Sequence, residues 1–320
     1  MEKADLEKLA ASLGRVVLIA GGYSSEREIS LMSGKGVYDA LVSCGTDVVR
    51  FDPQAQHISE LERGHFDRAF NCLHGRYGED GVIQGVLEYM SIPYTGSGVL
   101  TSAITIDKAV TKSIWAQAGI PLAKGVVAQY GENAKSIIEM LGQDLVVKPA
   151  REGSSIGLFK LKGATPEALS DAIRKAGLLD KRVLVEERVY GRELTVAVLG
   201  EGDNAHALPI VEIKAPGGDY DYQNKYFTTS VTYDCPADLP EDTANAVANA
   251  CVAAYRAVGC RGWARIDVLL REDGTFVLLE VNTAPGMTTH SLVPLAAKAS
   301  GMSYEELVLK VLSEARLDNV

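Results

Sequence analysis

Three side chains suited to holding a divalent cation fall at matched positions in ARIDVLLREDGTFVLLEVNTAPG, residues 264–286. Two apolar runs flank Asp273-Gly274, a dipeptide that favours a two-residue hairpin loop. That loop pairs Glu272 with Thr275 and sets Leu270 opposite Val277, Asp267 opposite Glu280, and Arg265 opposite Asn282. A four-residue loop keeps this register, whereas an odd loop slips it. Side chains alternate faces along a strand. Ile266, Val268, Leu270, Val277, Leu279 and Val281 are therefore expected on one apolar face, with Arg265, Asp267, Glu280 and Asn282 at the open end of the other.

Directly opposed residues hold their Cβ atoms about 5 Å apart. Two carboxylates there repel by roughly 3 kcal/mol at an effective dielectric near 20. A divalent cation removes the repulsion, and an all-oxygen set of two carboxylates and an amide suits Mg²⁺ or Mn²⁺. The competing reading is a solvated face on which water and Arg265 damp the charges. Asn282 and the turn-rich NTAPG that follows favour the cation.

Other residues could carry chemistry. Gly21-Gly22 ends an apolar run and precedes a helix, which puts backbone N–H groups and a positive dipole end where α/β sheets bind ligands. Glu26, in that helix's first turn, either complements the dipole or awaits a ligand ammonium. His74 ends a strand and enters a glycine-rich loop. It is either an exposed donor or base at the sheet edge or a satisfied turn histidine. Lys148 closes an apolar strand and is followed by REGSSIG, whose Ser154 and Ser155 either fold over phosphates or form a plain β-turn. Glu186 and Glu193 stand at strand ends, where a carboxylate could accept from ribose hydroxyls or simply lie on the surface.

These residues need elements to hold them. Apolar strands are expected at Arg15–Ala20, Asp47–Phe51 and Asp67–Leu73, with a short strand at Ile92–Tyr94. A helix opened by a Ser25/Glu28 capping box runs to about Cys44, and another runs to Met90. This βαβ rhythm predicts a parallel sheet over the first hundred or so residues. A helix from about Ile106 carries Lys108 and Lys112. Strands follow at Leu145–Lys148, Leu158–Lys160, Val183–Glu186 and Glu193–Leu199. Residues 214–236 are rich in Gly, Pro and Tyr with little periodicity and suggest a lid. A helix from Pro240 to Val258 precedes the hairpin, and a last one starts near Val293.

With 320 residues, two or three domains are expected. The 47% hydrophobic and 23% charged content is that of a soluble globular chain. A net charge of −10 argues against nucleic acid and anionic membranes as partners. Five scattered cysteines without CxxC spacing suggest a reducing compartment and no structural zinc. The charged N-terminus has no signal-peptide core. The uncharged stretch Tyr89–Ile106 contains Pro93, Gly96 and Gly98, which disfavour a membrane span. The cytoplasm is the expected location.

Together GGYSSEREISLMSG, HGRYGEDGVIQG, PYTGSG, the lysine of IDK, VKPAREGSSIG, YDYQNKY, GWARIDV and LLEVNTAPGMTTHSLVP resemble the ATP-grasp superfamily and, within it, the D-alanine–D-alanine ligases. The resemblance runs from Arg15 to about Leu312. It implies an ATP-grasp fold of three α/β domains: an N-terminal Rossmann-like domain (residues 1–105), a central one (106–190) and a C-terminal one (191–320) with the metal site and lid. It also implies a homodimer that uses ATP and Mg²⁺ or Mn²⁺, as two ions, to join two D-alanines through an acyl phosphate for peptidoglycan synthesis.

By the same resemblance, Asp267, Glu280 and Asn282 would hold the cations, and Arg265 with the backbone of Gly286 would stabilise developing oxyanions. Lys108, Lys148 and Lys225 would serve the nucleotide, with Ser154 and Ser155 above its phosphates. Glu186 would sit by the adenine and Glu193 by the ribose. Glu26 would take the first D-alanine's ammonium, hydrogen-bonding onward to Ser154 and Tyr226, and His74 would lie near its carboxylate. Ser291 and the Leu292 N–H would take the second D-alanine's carboxylate. Tyr226 favours an amine as second substrate over D-lactate. The alternatives are a ligase of the same fold using D-lactate or D-serine, and a non-catalytic nucleotide-binding module.

Overall fold

The computed structural model describes residues 2–215 and 231–318, and each of its three sheets brings one part of the site into place. The first is parallel, with Val16–Ile19 between Val48–Phe51 and Arg68–Asn71. All four residues of the central strand are buried, as a parallel strand covered on both faces requires. Tyr94, expected in a strand, makes only isolated bridges, to Ala69 and to Arg316. The helix after Gly22 spans Arg27–Ser43 and has no side-chain cap, so the expected Ser25/Glu28 box does not form. Glu26 is its N-cap residue, and its carboxylate turns away to Ser154. A capping box forms instead at Ser303 and Glu306.

The second sheet is antiparallel, in the order Gly125–Ala128, Val183–Glu187, Leu145–Pro149, Phe159–Leu161. Helices Ala134–Leu141 and Pro166–Ala176 bury Ile137, Leu169 and Ile173 against it. The third sheet is ordered Thr232–Asp234, Val211–Lys214, Arg192–Leu199, Trp263–Leu270, Phe276–Asn282, with His206–Ala207 beside Arg192–Leu199. Helix Glu241–Ala257 covers one face of it. The two ends of the region expected as an irregular lid therefore form a ladder, Glu212 opposite Asp234 and Lys214 opposite Thr232.

Both chain ends pack into the first sheet's core. Ala10 and Leu13 of the N-terminal segment share one cluster with Leu18, Phe70, Leu292 and Leu307. The expected last helix is two, Leu292–Ala299 and Tyr304–Ser313. Among the described residues, no helix is long and apolar enough to cross a membrane.

The hairpin around Asp273-Gly274 keeps its expected register at one end and loses it at the other. Asp267 faces Glu280 and Arg265 faces Asn282, but Leu270 faces Phe276 rather than Val277. The loop holds three residues: Arg271 N donates to Thr275 O at 2.8 Å, Gly274 N donates to Arg271 O at 3.1 Å, and Gly274 has φ +84°. This odd loop slips the ladder by one. A bulge then leaves Leu279 without a cross-strand partner and restores the pairing at Asp267 and Glu280. The expected apolar face is corrected accordingly: Leu278 and Phe276 join Val268 and Leu270 in the core, while Leu279 turns to the opposite face beside Leu269.

Candidate active site

Two adjoining cavities, of about 680 and 520 Å³, meet at Lys108, Gly153, Ser154 and Glu280. Glu26, Arg265, Asn282, Gly286, Ser291 and Leu292 line the larger. Lys148, Ser155, Glu186, Glu193 and Asp267 line the smaller, with Leu269 and Leu279 supplying an apolar wall. The second sheet's glycine loop and the third sheet's hairpin thus meet where the cavities touch, with Glu26, from the helix that follows the first sheet's central strand, lining the larger one.

Cations already hold the paired carboxylates. Arg265, two residues from Asp267 on one strand face, donates Nε to Oδ1 and Nη2 to Oδ2, both at 2.9 Å. Thr195 Oγ1 donates to Asp267 Oδ1 at 2.7 Å. Lys108 Nζ lies 3.3 Å from Glu280 Oε2 and donates to the Glu152 carbonyl at 2.7 Å. Asn282 Oδ1 is buried without a hydrogen-bond partner among the described residues, a costly state unless a ligand supplies one. Two facing carboxylates and an orphaned amide oxygen fit a hard divalent cation. Among the described residues no three His, Cys, Asp or Glu side chains converge, so the amide completes the set.

Lys108 and Lys112, one helical turn apart on Lys108–Gln117, reach different carboxylates. Lys112 pairs with Glu186 Oε1, and Lys148 lies 2.8 Å from Glu186 Oε2. All three are buried. Burial alone would push the Glu186 acid up, but the charges of Lys148 and Lys112 outweigh it and hold the group down at about 2. Burial lowers Lys112 to about 8. Lys148 is desolvated too, yet attraction from Glu186 and Glu280 leaves it raised.

Ser154 Oγ donates to Glu26 Oε1, joining the glycine loop of the second sheet to the helix N-terminus of the first. Ser154 and Ser155 have φ of +52° and +59°, a left-handed conformation that costs a residue with a Cβ roughly 1–2 kcal/mol. The strain aims the hydroxyl at Glu26. Two glycines make room for that carboxylate. A Cβ on Gly75 would stand 2.6 Å from Glu26 Oε2, and one on Gly153 would stand 3.2 Å from it.

His74 is not exposed at the sheet edge as one reading had it; it is buried and lines neither cavity. Its Nδ1 lies 2.8 Å from Ala284 O, a pure acceptor, so Nδ1 carries the proton. Burial lowers its pKa, and neutral Nε2 accepts from Ser33 Oγ at 3.2 Å. Ser33 Oγ in turn accepts the Met287 N–H at 3.0 Å. The histidine therefore ties the first sheet's loop to the segment after Asn282. Glu79 is the residue that faces the larger cavity from this loop. Its oxygens accept from Gly75 N at 2.7 Å and Ala284 N at 3.2 Å. Burial, then the Glu26 charge, raises it to about 8.

Ser291 is the N-cap residue of Leu292–Ala299 but makes no cap bond to it. Its hydroxyl accepts the Thr288 N–H at 3.0 Å instead, which leaves the helix's first N–H groups for an anion. Gly286 sits close by; a Cβ there would come within 3.0 Å of Ser291 Oγ. Lys225, Tyr226 and most of the expected lid lie outside the described residues. Sequence reasoning missed Glu79, Leu279 and Gly75 as site residues. GED in the loop after His74 was the only signal for Glu79, and none existed for Leu279, whose facing depends on the bulge.

The family described as "D-ala D-ala ligase C-terminus" matches residues 114–313, and "D-ala D-ala ligase N-terminus" matches residues 47–97. A protein named D-alanine--D-alanine ligase from Cupriavidus taiwanensis is 53% identical, over 96% of this chain and 93% of its own length. One of the same name from Bordetella petrii is 50% identical, with the same coverage. A crystal structure of D-alanine--D-alanine ligase from Bacillus anthracis in complex with ATP superposes with a TM-score of 0.81 at 29% identity. It covers 94% of this chain and 97% of that one.

Proposed function

The chain belongs to the D-alanine–D-alanine ligase family, and from that premise we propose how its residues divide the work. The protein is an ADP-forming ligase that joins two D-alanines into D-alanyl-D-alanine for cell-wall synthesis, with ATP as co-substrate. The observation that carries the division is the shared wall of the two cavities at Lys108, Gly153, Ser154 and Glu280.

ATP occupies the smaller cavity. Its base lies between Leu269 and Leu279 near Glu186, its ribose is near Glu193, and its phosphates run toward Lys148, Ser155 and Lys108. The first D-alanine enters the larger cavity with its ammonium on Glu26, which Ser154 holds in place. Its carboxylate oxygen attacks the γ-phosphorus at the shared wall, ADP leaves, and an acyl phosphate forms. The amine of the second D-alanine, whose carboxylate rests on Ser291 and the Leu292 N–H, then attacks the acyl carbon. Arg265 and the Gly286 N–H face the oxyanion of the tetrahedral intermediate, and phosphate departs. His74, buried behind the cavity, fixes the Ala284–Met287 segment that presents Gly286. By the family resemblance Lys225 and Tyr226, outside the described residues, would serve the nucleotide and the first D-alanine.

Asp267, Glu280 and Asn282 would hold Mg²⁺ or Mn²⁺, as two ions, which when bound neutralises phosphate charge. We divide the chain into domains 1–105, 106–190 and 191–320, since each span holds one sheet, and infer a cytoplasmic homodimer from the family resemblance. Phosphate release with D-alanine alone, compared with D-alanine plus D-lactate near neutral pH, tests the substrate choice. Turnover with D-alanine alone is expected, and a preference for the hydroxy acid would overturn it.

A further inference from the structure

We infer that Lys112 is a positioning residue that sets nucleobase selectivity: from behind the nucleotide cavity it holds Glu186 as a two-oxygen acceptor for a purine bearing an amino group at its six-position. This rests on the reading of the smaller cavity as the nucleotide site.

Glu186 lies on the floor of that cavity, but Lys112 does not line it. Lys112 comes from a different element, the helix Lys108–Gln117, and meets Glu186 from the core side. Lys148 takes the other oxygen at 2.8 Å from inside the cavity. The carboxylate is thus pinned between two ammonium groups, with side-chain exposure of 4% against 9% for Lys112 and 11% for Lys148. A lone buried carboxylic acid tends to take up a proton. Two flanking cations keep this one ionised, as its pKa of about 2 reflects.

An ionised carboxylate accepts and cannot donate. Toward adenine, whose exocyclic amine donates, it is attractive. Toward a six-oxo purine it presents anion to carbonyl oxygen, a mismatch without a compensating proton. Lys148 alone does not suffice, because the phosphates of a bound nucleotide compete for its charge. Lys112, shielded from the cavity, has no competing partner there, and its Nζ keeps Glu186 ionised once the nucleotide is in place.

The test compares ATP with inosine triphosphate, which differs on the six-position edge of the base. In Lys112→Met the preference for ATP over inosine triphosphate should fall about tenfold or more, through KM for the nucleotide, with kcat and KM for D-alanine changed less. Lys112→Arg, which keeps the cation, should recover most of the preference. Lys112→Gln, whose amide still donates to Glu186, carries the same readout if Lys112→Met does not fold. Glu186→Gln serves as control and should itself collapse the preference. An unchanged preference in a folded Lys112 variant beside a collapsed one in Glu186→Gln overturns the role of Lys112 alone. Unchanged preferences in both overturn the nucleotide reading of the cavity and this inference with it.

Discussion

Arg265 and Asp267 form a two-pronged ion pair along one strand, with both nitrogen–oxygen distances at 2.9 Å. The guanidinium sits where a metal's charge would otherwise act, and Lys108 does the same for Glu280 at 3.3 Å. A divalent cation held by Asp267 and Glu280, as proposed, would have to displace protein charges that are already in place. On the proposed placement of the nucleotide, its phosphates would supply new partners for Arg265 and Lys108 that make this exchange favourable.

Without nucleotide the protein should accordingly bind Mn²⁺ only weakly. Arg265→Ala should raise that bare affinity by about tenfold or more, since it frees a carboxylate held by two charge-assisted hydrogen bonds, while turnover collapses. Manganese paramagnetic resonance with and without nucleotide reads both. Tight binding by the nucleotide-free protein would count against the exchange.

Adjacent leucines on the hairpin should behave as opposites. Leu278 is fully buried in the core, so Leu278→Ala should cost ~2–5 kcal/mol of stability. Leu279 lines the smaller cavity, so Leu279→Ala should cost about 1 kcal/mol or less and raise KM for ATP instead. Chemical denaturation and initial rates separate the two effects, and equal stability losses would sink the assignment of faces.

Glu26 is crowded by design, with a Cβ at Gly75 reaching within 2.6 Å of its carboxylate. Gly75→Ala and Ser154→Ala should each raise KM for the first D-alanine by about tenfold. Combined with Glu26→Gln they should add little further, because all three act on one carboxylate. Full additivity across that cycle would remove the shared mechanism.

Glu79 links stability to pH. Its pKa is raised to about 8 in the fold from an ordinary value of 4.5. Between those values the native state binds more protons than the unfolded chain, so stability should fall as pH rises from about 5 toward 8. The slope should approach 1.4 kcal/mol per pH unit at most. Glu79→Gln should flatten it, at a baseline loss of ~1–3 kcal/mol, because its amide meets either the Gly75 or the Ala284 N–H. Urea titrations of both proteins at several pH values check this.

What the sequence made legible was chiefly what local pattern determines. The βαβ rhythm identified the parallel sheet, and the alternation around Asp273-Gly274 brought Arg265, Asp267, Glu280 and Asn282 to one face. The pairing at the metal end emerged correctly from a wrong loop, because the odd turn and the bulge cancel. The strand Gly125–Ala128 and the helices Ala134–Leu141 and Pro166–Ala176 were not anticipated. The cores that bury them depend on contacts distant in sequence. For His74 the sequence left an exposed and a satisfied reading open, and the structure favours the second: its partner Ala284 lies 210 residues away, and only the closed fold reveals that the ring is buried.

The bulge at Leu279 also acts as a slack joint. A ladder without it would transmit every change in loop length straight to Asp267 and Glu280. With one spare residue between loop and site, losing a residue from the turn at 272–274 can be absorbed by straightening the bulge, while the metal end stays still. The far tip of this hairpin is thus a place where the chain can vary in length, or accept a grafted peptide, with the chemistry mechanically insulated from the change.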